Sequence, residues 1–142
     1  MELEGRVWKE KKHWLIEVPT LDLMTQGTTE AKALGMIGDA IESLVECYFP
    51  EETSHFKTTV KLYDNGVIGV SASCNSLMLA LSLKRQREKC HSTVREVADR
   101  LGSSSPNAYA RYEKGRARIS LDQYERLLKA VNPKQNFQLR VV

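Results

Sequence analysis

The spacing of the apolar residues changes about halfway along this chain of 142 residues. As far as Ala72, apolar and polar residues mostly alternate, which is typical of half-buried strands, and one helical stripe interrupts them. From Leu77 onward, apolar residues recur at spacings of three and four between helix-capping residues. The pattern predicts an α+β domain over residues 1–76, followed by a separate all-α domain over residues 77–142.

The first domain is predicted to have the element order β-β-β-α-β-β. Thr28 or Thr29 offers a side-chain oxygen to cap the helix, and the apolar stripe of that helix runs from Ala33 to Tyr48. A hairpin turn is expected at Asp64-Asn65-Gly66, because Asn-Gly tolerates positive φ. The predicted strands are Leu3–Trp8, His13–Val18, Leu23–Gly27, Phe56–Tyr63 and Val67–Ala72.

The second domain is predicted to contain four short helices. They are Met78–Lys89, a helix from Ser92 or Thr93 to Gly102, a helix from Ser105-Pro106 to Gly115, and a helix capped by Ser120 with Leu121, Tyr124, Leu127, Leu128 and Val131 as its stripe. The small residues Ala98 and Gly102 permit a close crossing and a tight turn, which indicates a helix-turn-helix. Tyr109 and Tyr112 are expected to face inward. The first helix is expected to have a basic face formed by Lys84, Arg85, Arg87 and Lys89.

The net charge of +3 conceals two domains of opposite sign. Met1–Ser76 contains 7 Lys and Arg against 12 Asp and Glu, which is −5, whereas Leu77–Val142 contains 14 against 6, which is +8. A basic domain suits a polyanion such as nucleic acid, although an ordinary solvated surface would have the same composition. The odd cysteine count and the lack of a signal sequence or a long apolar run predict a cytoplasmic protein without a membrane segment.

The sequence offers little evidence of catalysis. A metal-dependent nuclease needs several carboxylates on one face, and the candidate carboxylates of the first domain occur singly. The candidates are Glu2, Glu4, Glu17, Asp39, Glu42 and Glu46. His13 and His55 lack a second ligand at metal spacing, and Cys90-His91 is an isolated pair. We therefore expect no enzyme activity, no metal and no cofactor.

The segment Val94–Ser120 resembles the Xre-type helix-turn-helix of bacterial and phage repressors, in which the third helix enters the major groove. The turn between Gly102 and Tyr109 is one residue longer than the usual family pattern. The resemblance implies that Asn107 can read adenine, that Arg111 can read guanine, and that loop cations contact phosphates. The predicted DNA-binding residues are Ser104, Ser105, Asn107, Ala108, Arg111, Lys114, Arg116 and Arg118. For the charged residues, a solvated surface is the alternative interpretation.

The order of the two domains resembles the HicB antitoxin family. The resemblance rests on Val18-Pro19-Thr20-Leu21, on Thr25–Ala31 and on the run Leu101–Glu113, whereas Leu23-Met24 stands where family members often have Gly-Cys. It implies a partial RNase H-like fold without nuclease residues over residues 1–76. It also implies a type II antitoxin that neutralises a HicA-like mRNA-cleaving toxin and binds operator DNA to repress its own operon.

Two alternatives remain open at this point. The chain could be a stand-alone repressor whose first domain dimerises or senses a ligand, or it could be a nuclease of RNase H-like fold. A homodimer or higher homo-oligomer is expected, because one helix-turn-helix reads few base pairs. The alternating tail Asn136–Val142 suits either a dimerisation strand or a segment packed on its own domain.

Overall fold

A computed structural model describes residues 1–52 and 55–142. The chain divides into two compact units, which we call unit 1 (Met1–Asn75) and unit 2 (Ser76–Val142). Unit 1 is an antiparallel sheet with one helix and unit 2 is helical, so the predicted α+β fold class is confirmed. Among the described residues, no helix combines the length and the apolar character needed to cross a membrane.

Unit 1 is built on a five-stranded sheet with the order β3-β2-β1-β5-β4, in which every neighbouring pair is antiparallel. The strands are β1 (Leu3–Glu10), β2 (His13–Val18), β3 (Leu23–Gly27), β4 (Thr58–Leu62) and β5 (Val67–Ala72). In the register, Val7 faces Ile16 and Leu3 faces Val70, so β1 lies at the centre. β1 extends two residues beyond the prediction, because the loop shrinks to Lys11-Lys12 with Lys11 at positive φ.

One helix, α1 (Glu30–Tyr48), packs on one face of this sheet. The side chain of Thr29 accepts a hydrogen bond from the backbone N–H of Lys32 at 3.1 Å and thereby caps the first turn. Ile37, Ile41 and Val45 are completely buried along the predicted apolar stripe. Because α1 connects the edge strands β3 and β4, the chain crosses the whole sheet between them.

The turn between β4 and β5 follows the Asn-Gly prediction. Asn65 has φ 58° and Gly66 has φ 72°, both in the left-handed region. A Cβ on Gly66 would also lie 2.4 Å from the carbonyl oxygen of Val7, which is closer than real contacts allow. Glycine at this position is therefore required by both the backbone angle and the space.

Unit 2 consists of short helices around one core. They are α2 (Asn75–Lys89), α3 (Val94–Arg100), α4 (Pro106–Ala110) and α5 (Leu121–Val131), with a 3₁₀ helix at Arg111–Lys114. One buried cluster contains Leu83, Val97, Ala98, Tyr109, Leu127, Leu128, Ala130 and Val131. Leu121, predicted in the stripe of α5, is 62% exposed, because the buried side of that helix begins a turn later.

The C-terminal tail forms no strand in the described single chain. Phe137 packs against the core of unit 2, which agrees with the alternative that the tail lies on its own domain. Leu139 and Val141, however, are 82% and 96% exposed. Pairing of this segment with a second copy stays a prediction.

Candidate nucleic-acid interface

The first half of the helix-turn-helix is α3, whose two ends are both fixed by local sequence. At its start, Thr93 and Glu96 form a reciprocal capping box, with hydrogen bonds of 2.9 and 3.1 Å between each side chain and the other residue's N–H. At its end, Gly102 adopts φ 73° and the N–H of Ser103 donates to the carbonyl of Ala98 at 3.0 Å. The helix therefore stops where the sequence predicts, and the chain turns sharply.

The next helix is shorter than predicted. Ser105 caps α4 by accepting a hydrogen bond from the N–H of Asn107 at 3.3 Å, and Pro106 occupies the first turn. The α-helical geometry ends at Ala110, and Arg111–Lys114 continue as a 3₁₀ helix to Gly115, which has φ 76°. The prediction of one regular helix to Gly115 is thus corrected by a tightened last turn, a common feature of helix ends.

Every residue predicted to contact DNA lies on the surface of unit 2. Ser104 and Ser105 lie in the turn before α4, Asn107 and Ala108 lie on α4, and Arg111 and Lys114 lie on the 3₁₀ helix, while Arg116 and Arg118 follow in the next loop. All eight are exposed. The same short stretch buries Tyr109, so α4 has one side in the core and the other in solvent. The structure leaves these positions accessible, and their contact with DNA stays a prediction.

Arg111 is held against its neighbour. The guanidinium carbon of Arg111 lies 5.0 Å from the ring centroid of Tyr112, and its Nη2 donates to the Tyr112 hydroxyl at 3.2 Å. Gln123 of α5 donates its side-chain N–H to the same hydroxyl, also at 3.2 Å. The inward-facing prediction for Tyr112 holds for its ring, which packs partly buried against the core.

A partly buried ion pair joins α2 to the 3₁₀ helix. Arg87 of α2 donates to both carboxylate oxygens of Glu113, at 2.6 and 3.0 Å, and to the carbonyl of Ser92 at 3.0 Å. The hydroxyl of Tyr109 donates a short hydrogen bond to the same carboxylate. The bond to Glu113 raises the pKa of the Arg87 guanidinium, and burial together with the Glu113 charge raises the pKa of Tyr109. Arg87 therefore stays charged and Tyr109 stays protonated across the physiological range.

Further polar bonds connect the helices of unit 2. Arg100 of α3 donates to the carbonyl of Ala130 of α5 at 2.8 Å. Tyr124 lies 2.6 Å from the hydroxyl of Ser82, and burial raises the pKa of Tyr124 to about 12. In the part of the chain that the structure describes, no buried side-chain nitrogen or oxygen lacks a hydrogen-bond partner. Buried polar atoms in a rigid protein interior need hydrogen-bond partners of this kind.

The sequence reasoning misplaced Arg87. The sequence predicts that it belongs to the basic face of α2, but its side chain is 15% exposed and paired with Glu113. One signal could have identified the partner. Glu113 is the only acidic residue between Asp99 and Asp122, and it lies four residues after the inward-facing Tyr109, so its side chain is on the buried side.

The acidic residues of unit 1 do not converge on a metal site. Glu42 accepts hydrogen bonds from the N–H and the hydroxyl of Thr58, at 2.9 and 3.0 Å, and from Lys57 Nζ at 3.1 Å. The Thr58 N–H bond is the main cause that lowers the pKa of Glu42. Within residues 1–52 and 55–142, no three His, Cys, Asp or Glu side chains are grouped to hold a metal. Glu42 thus attaches α1 to the start of β4.

Comparison with known proteins gives a match for part of unit 2. No curated protein matches the sequence. Residues 83–132 match a helix-turn-helix family, HTH_3, and this range covers the end of α2 together with α3, α4 and α5. Unit 2 therefore contains a helix-turn-helix domain of the Xre type, and the chain is a DNA-binding regulator.

Proposed function

We propose that this regulator is a HicB-like antitoxin of a type II toxin–antitoxin pair. Its helix-turn-helix domain binds operator DNA and represses the operon, while unit 1 neutralises a HicA-like mRNA-cleaving toxin in the cytoplasm. The observation that carries the proposal is the joining of a DNA-binding domain to an α+β unit of opposite net charge, −5 against +8. Complementary charge would speed the encounter of unit 1 with a cationic protein and select that partner.

On the DNA side, the exposed residues of α4, the 3₁₀ helix and the following loop have two kinds of side-chain chemistry. Asn107 has the donor and acceptor pair that matches adenine, and Arg111 has the fork that matches guanine. Lys114, Arg116 and Arg118 supply charge for phosphates and set the orientation of the domain. A homodimer on a two-fold operator would bring two such surfaces to successive major grooves, and the mass of the chain in solution tests that assembly.

On the toxin side, we assign the contact to the outer face of α1. Met36, Asp39, Ser43 and Glu46 lie at spacings of three and four, which places them on one stripe, and all four are exposed. Met36 is 46% exposed and supplies an apolar anchor at one end of the stripe, next to Asp39. This stripe, Met36–Asp39–Ser43–Glu46, suits a small basic partner. Glu42 of the same helix lies outside this stripe and bonds Lys57 and Thr58 instead.

The test is co-expression of the full chain with the product of the adjacent gene, followed by co-purification and a growth assay. Wild type should form a complex and restore growth. The double reversal Asp39→Lys with Glu46→Lys should weaken the complex by about tenfold or more, because two attractive contacts become repulsive. The matched control, Glu10→Lys with Asp64→Lys, changes the net charge equally at exposed sites away from the stripe.

Each outcome has a separate meaning. If wild type binds and the two double variants lose the same affinity for the gene product, the net charge of unit 1 governs binding. The assignment of the contact to the stripe is then wrong. If wild type binds no neighbouring gene product, the antitoxin proposal is wrong. A wild-type chain that then still binds the DNA upstream of its own gene would support the alternative of a stand-alone repressor.

A further inference from the structure

The hydroxyl of Tyr112 is placed between two donors. Arg111 Nη2 and Gln123 Nε2 each lie 3.2 Å from this oxygen. A tyrosine hydroxyl has two lone pairs and one hydrogen. Both lone pairs are therefore used by the protein, and the hydrogen must be directed at an acceptor elsewhere.

The orientation of the Gln123 amide is decisive for this argument. If the amide were flipped, its oxygen would accept the tyrosine hydrogen and nothing would remain to donate. Arg126 Nη1 lies 3.5 Å from Gln123 Oε1, and a guanidinium can only donate. The cation therefore keeps the amide oxygen on its own side, and the amide N–H₂ on the side of Tyr112.

Among the described residues, the hydrogen bonds of the Tyr112 oxygen are those two accepted ones. Its ring packs partly buried against the core, and this packing sets the position of the hydroxyl on unit 2. The 3₁₀ helix that contains Tyr112 leads directly to the loop of Arg116 and Arg118. An anionic acceptor of the kind that binds these cations is also a strong acceptor for the tyrosine hydrogen.

We propose that the Tyr112 hydroxyl donates a hydrogen bond to a phosphate oxygen of the DNA backbone, with its hydrogen directed outward by Arg111 and Gln123. This inference rests on the proposed function, in that this face of unit 2 binds duplex DNA. Tyr112 is then a DNA-contacting residue, whereas Gln123 is a positioning residue. No base is read by this bond, so it should strengthen binding to every sequence alike.

The test measures binding of the full chain to two duplexes, the DNA immediately upstream of its gene and an unrelated duplex of equal length. Tyr112→Phe keeps the ring beneath Arg111 and removes only the hydroxyl. We expect about a tenfold loss on both duplexes, the size of one hydrogen bond to a charged group. The matched control is Tyr63→Phe in unit 1, whose hydroxyl donates to Glu2 at 2.7 Å and which should bind DNA as wild type does.

Two further measurements separate a contact from a structural effect. Tyrosine is uncharged, so Tyr112→Phe should leave the salt dependence of binding unchanged, whereas Lys114→Gln should reduce its slope by about 1. Gln123→Met should weaken binding less than Tyr112→Phe does, and it should have no added effect in a Tyr112→Phe background. Duplexes with single methylphosphonate substitutions should show one position at which wild type loses affinity and Tyr112→Phe does not.

The outcomes that contradict the proposal are distinct. If wild type binds both duplexes and Tyr112→Phe is within about twofold of it, the hydroxyl contact is wrong and DNA binding stands. If Tyr112→Phe loses affinity on the upstream duplex alone, the acceptor is a base and the phosphate assignment is wrong. If wild type binds neither duplex, both this inference and the proposed DNA-binding role are wrong.

Discussion

Replacement of Glu113 by glutamine should unfold or nearly unfold unit 2. The change keeps the shape of the side chain and removes its charge, so the partly buried guanidinium of Arg87 keeps only a neutral partner. The side chains of Arg87 and Glu113 are 15% and 9% exposed, so water can compensate little of the lost attraction. Removal of one partner from a buried ion pair costs about 3–5 kcal/mol.

The size of the effect follows from the size of the unit. A domain of roughly 70 residues has a free energy of unfolding of about 3–10 kcal/mol, so such a loss consumes much or all of it. With a urea dependence of about 1 kcal/mol per molar, the midpoint for unit 2 should fall by about 3 M or disappear. Lys57→Met is the matched control. It breaks the ion pair with Glu42, but Lys57 is 79% exposed, and the expected cost is below about 1 kcal/mol.

The chain provides its own signals for the assay. Both tryptophans, Trp8 and Trp14, lie in unit 1, so their fluorescence follows unfolding of the sheet. Far-ultraviolet circular dichroism follows the helices of unit 2 together with α1. Glu113→Gln should therefore shift the helical transition and leave the tryptophan transition in place. A cost for Glu113→Gln no larger than that for Lys57→Met would refute the reasoning about burial.

Two further predictions follow from the structure. Arg111→Ala should weaken operator binding by about 1–3 kcal/mol and relax the preference at one base position in a binding-site selection. An equal loss of affinity for all sequences would instead make Arg111 a phosphate contact. Because the Thr58 N–H lowers the pKa of Glu42 below 4.5, the ionised carboxylate stabilises unit 1 above pH 4.5, and this contribution is lost as the pH falls through the folded pKa. Urea midpoints of the tryptophan signal should then depend less on pH below 4.5 in Glu42→Gln than in wild type, and identical pH profiles would contradict the assignment.

The elements that sequence reasoning predicted are those set by neighbouring residues. Thr29, Thr93, Ser105 and Ser120 each cap the helix that follows, through a side-chain oxygen and an N–H two or three residues onward. Such signals lie within a few residues, so the sequence displays them directly. The hairpin at Asn65 belongs to the same class, because φ preference is a property of the residue itself.

The features that sequence reasoning missed depend on distant partners. Arg87 and Glu113 are 26 residues apart in the chain, and the charge of Arg87 by itself favours a solvated position. The Tyr112 site likewise combines Arg111 with Gln123 of the next helix, and no spacing rule brings them together. For the predicted DNA-binding residues, local sequence sufficed to place them on an exposed surface, since Asn107, Ala108 and Arg111 flank the buried Tyr109.

The pairing of β1 with β5 has a consequence for the protein as it is made. Leu3 faces Val70 in the centre of the sheet, so unit 1 cannot complete its fold until almost all of its residues have left the ribosome. The helix-turn-helix follows later on the same nascent chain and depends mainly on contacts among its own short helices. If domains fold in the order of synthesis, the acidic unit is complete before the helix-turn-helix that binds DNA.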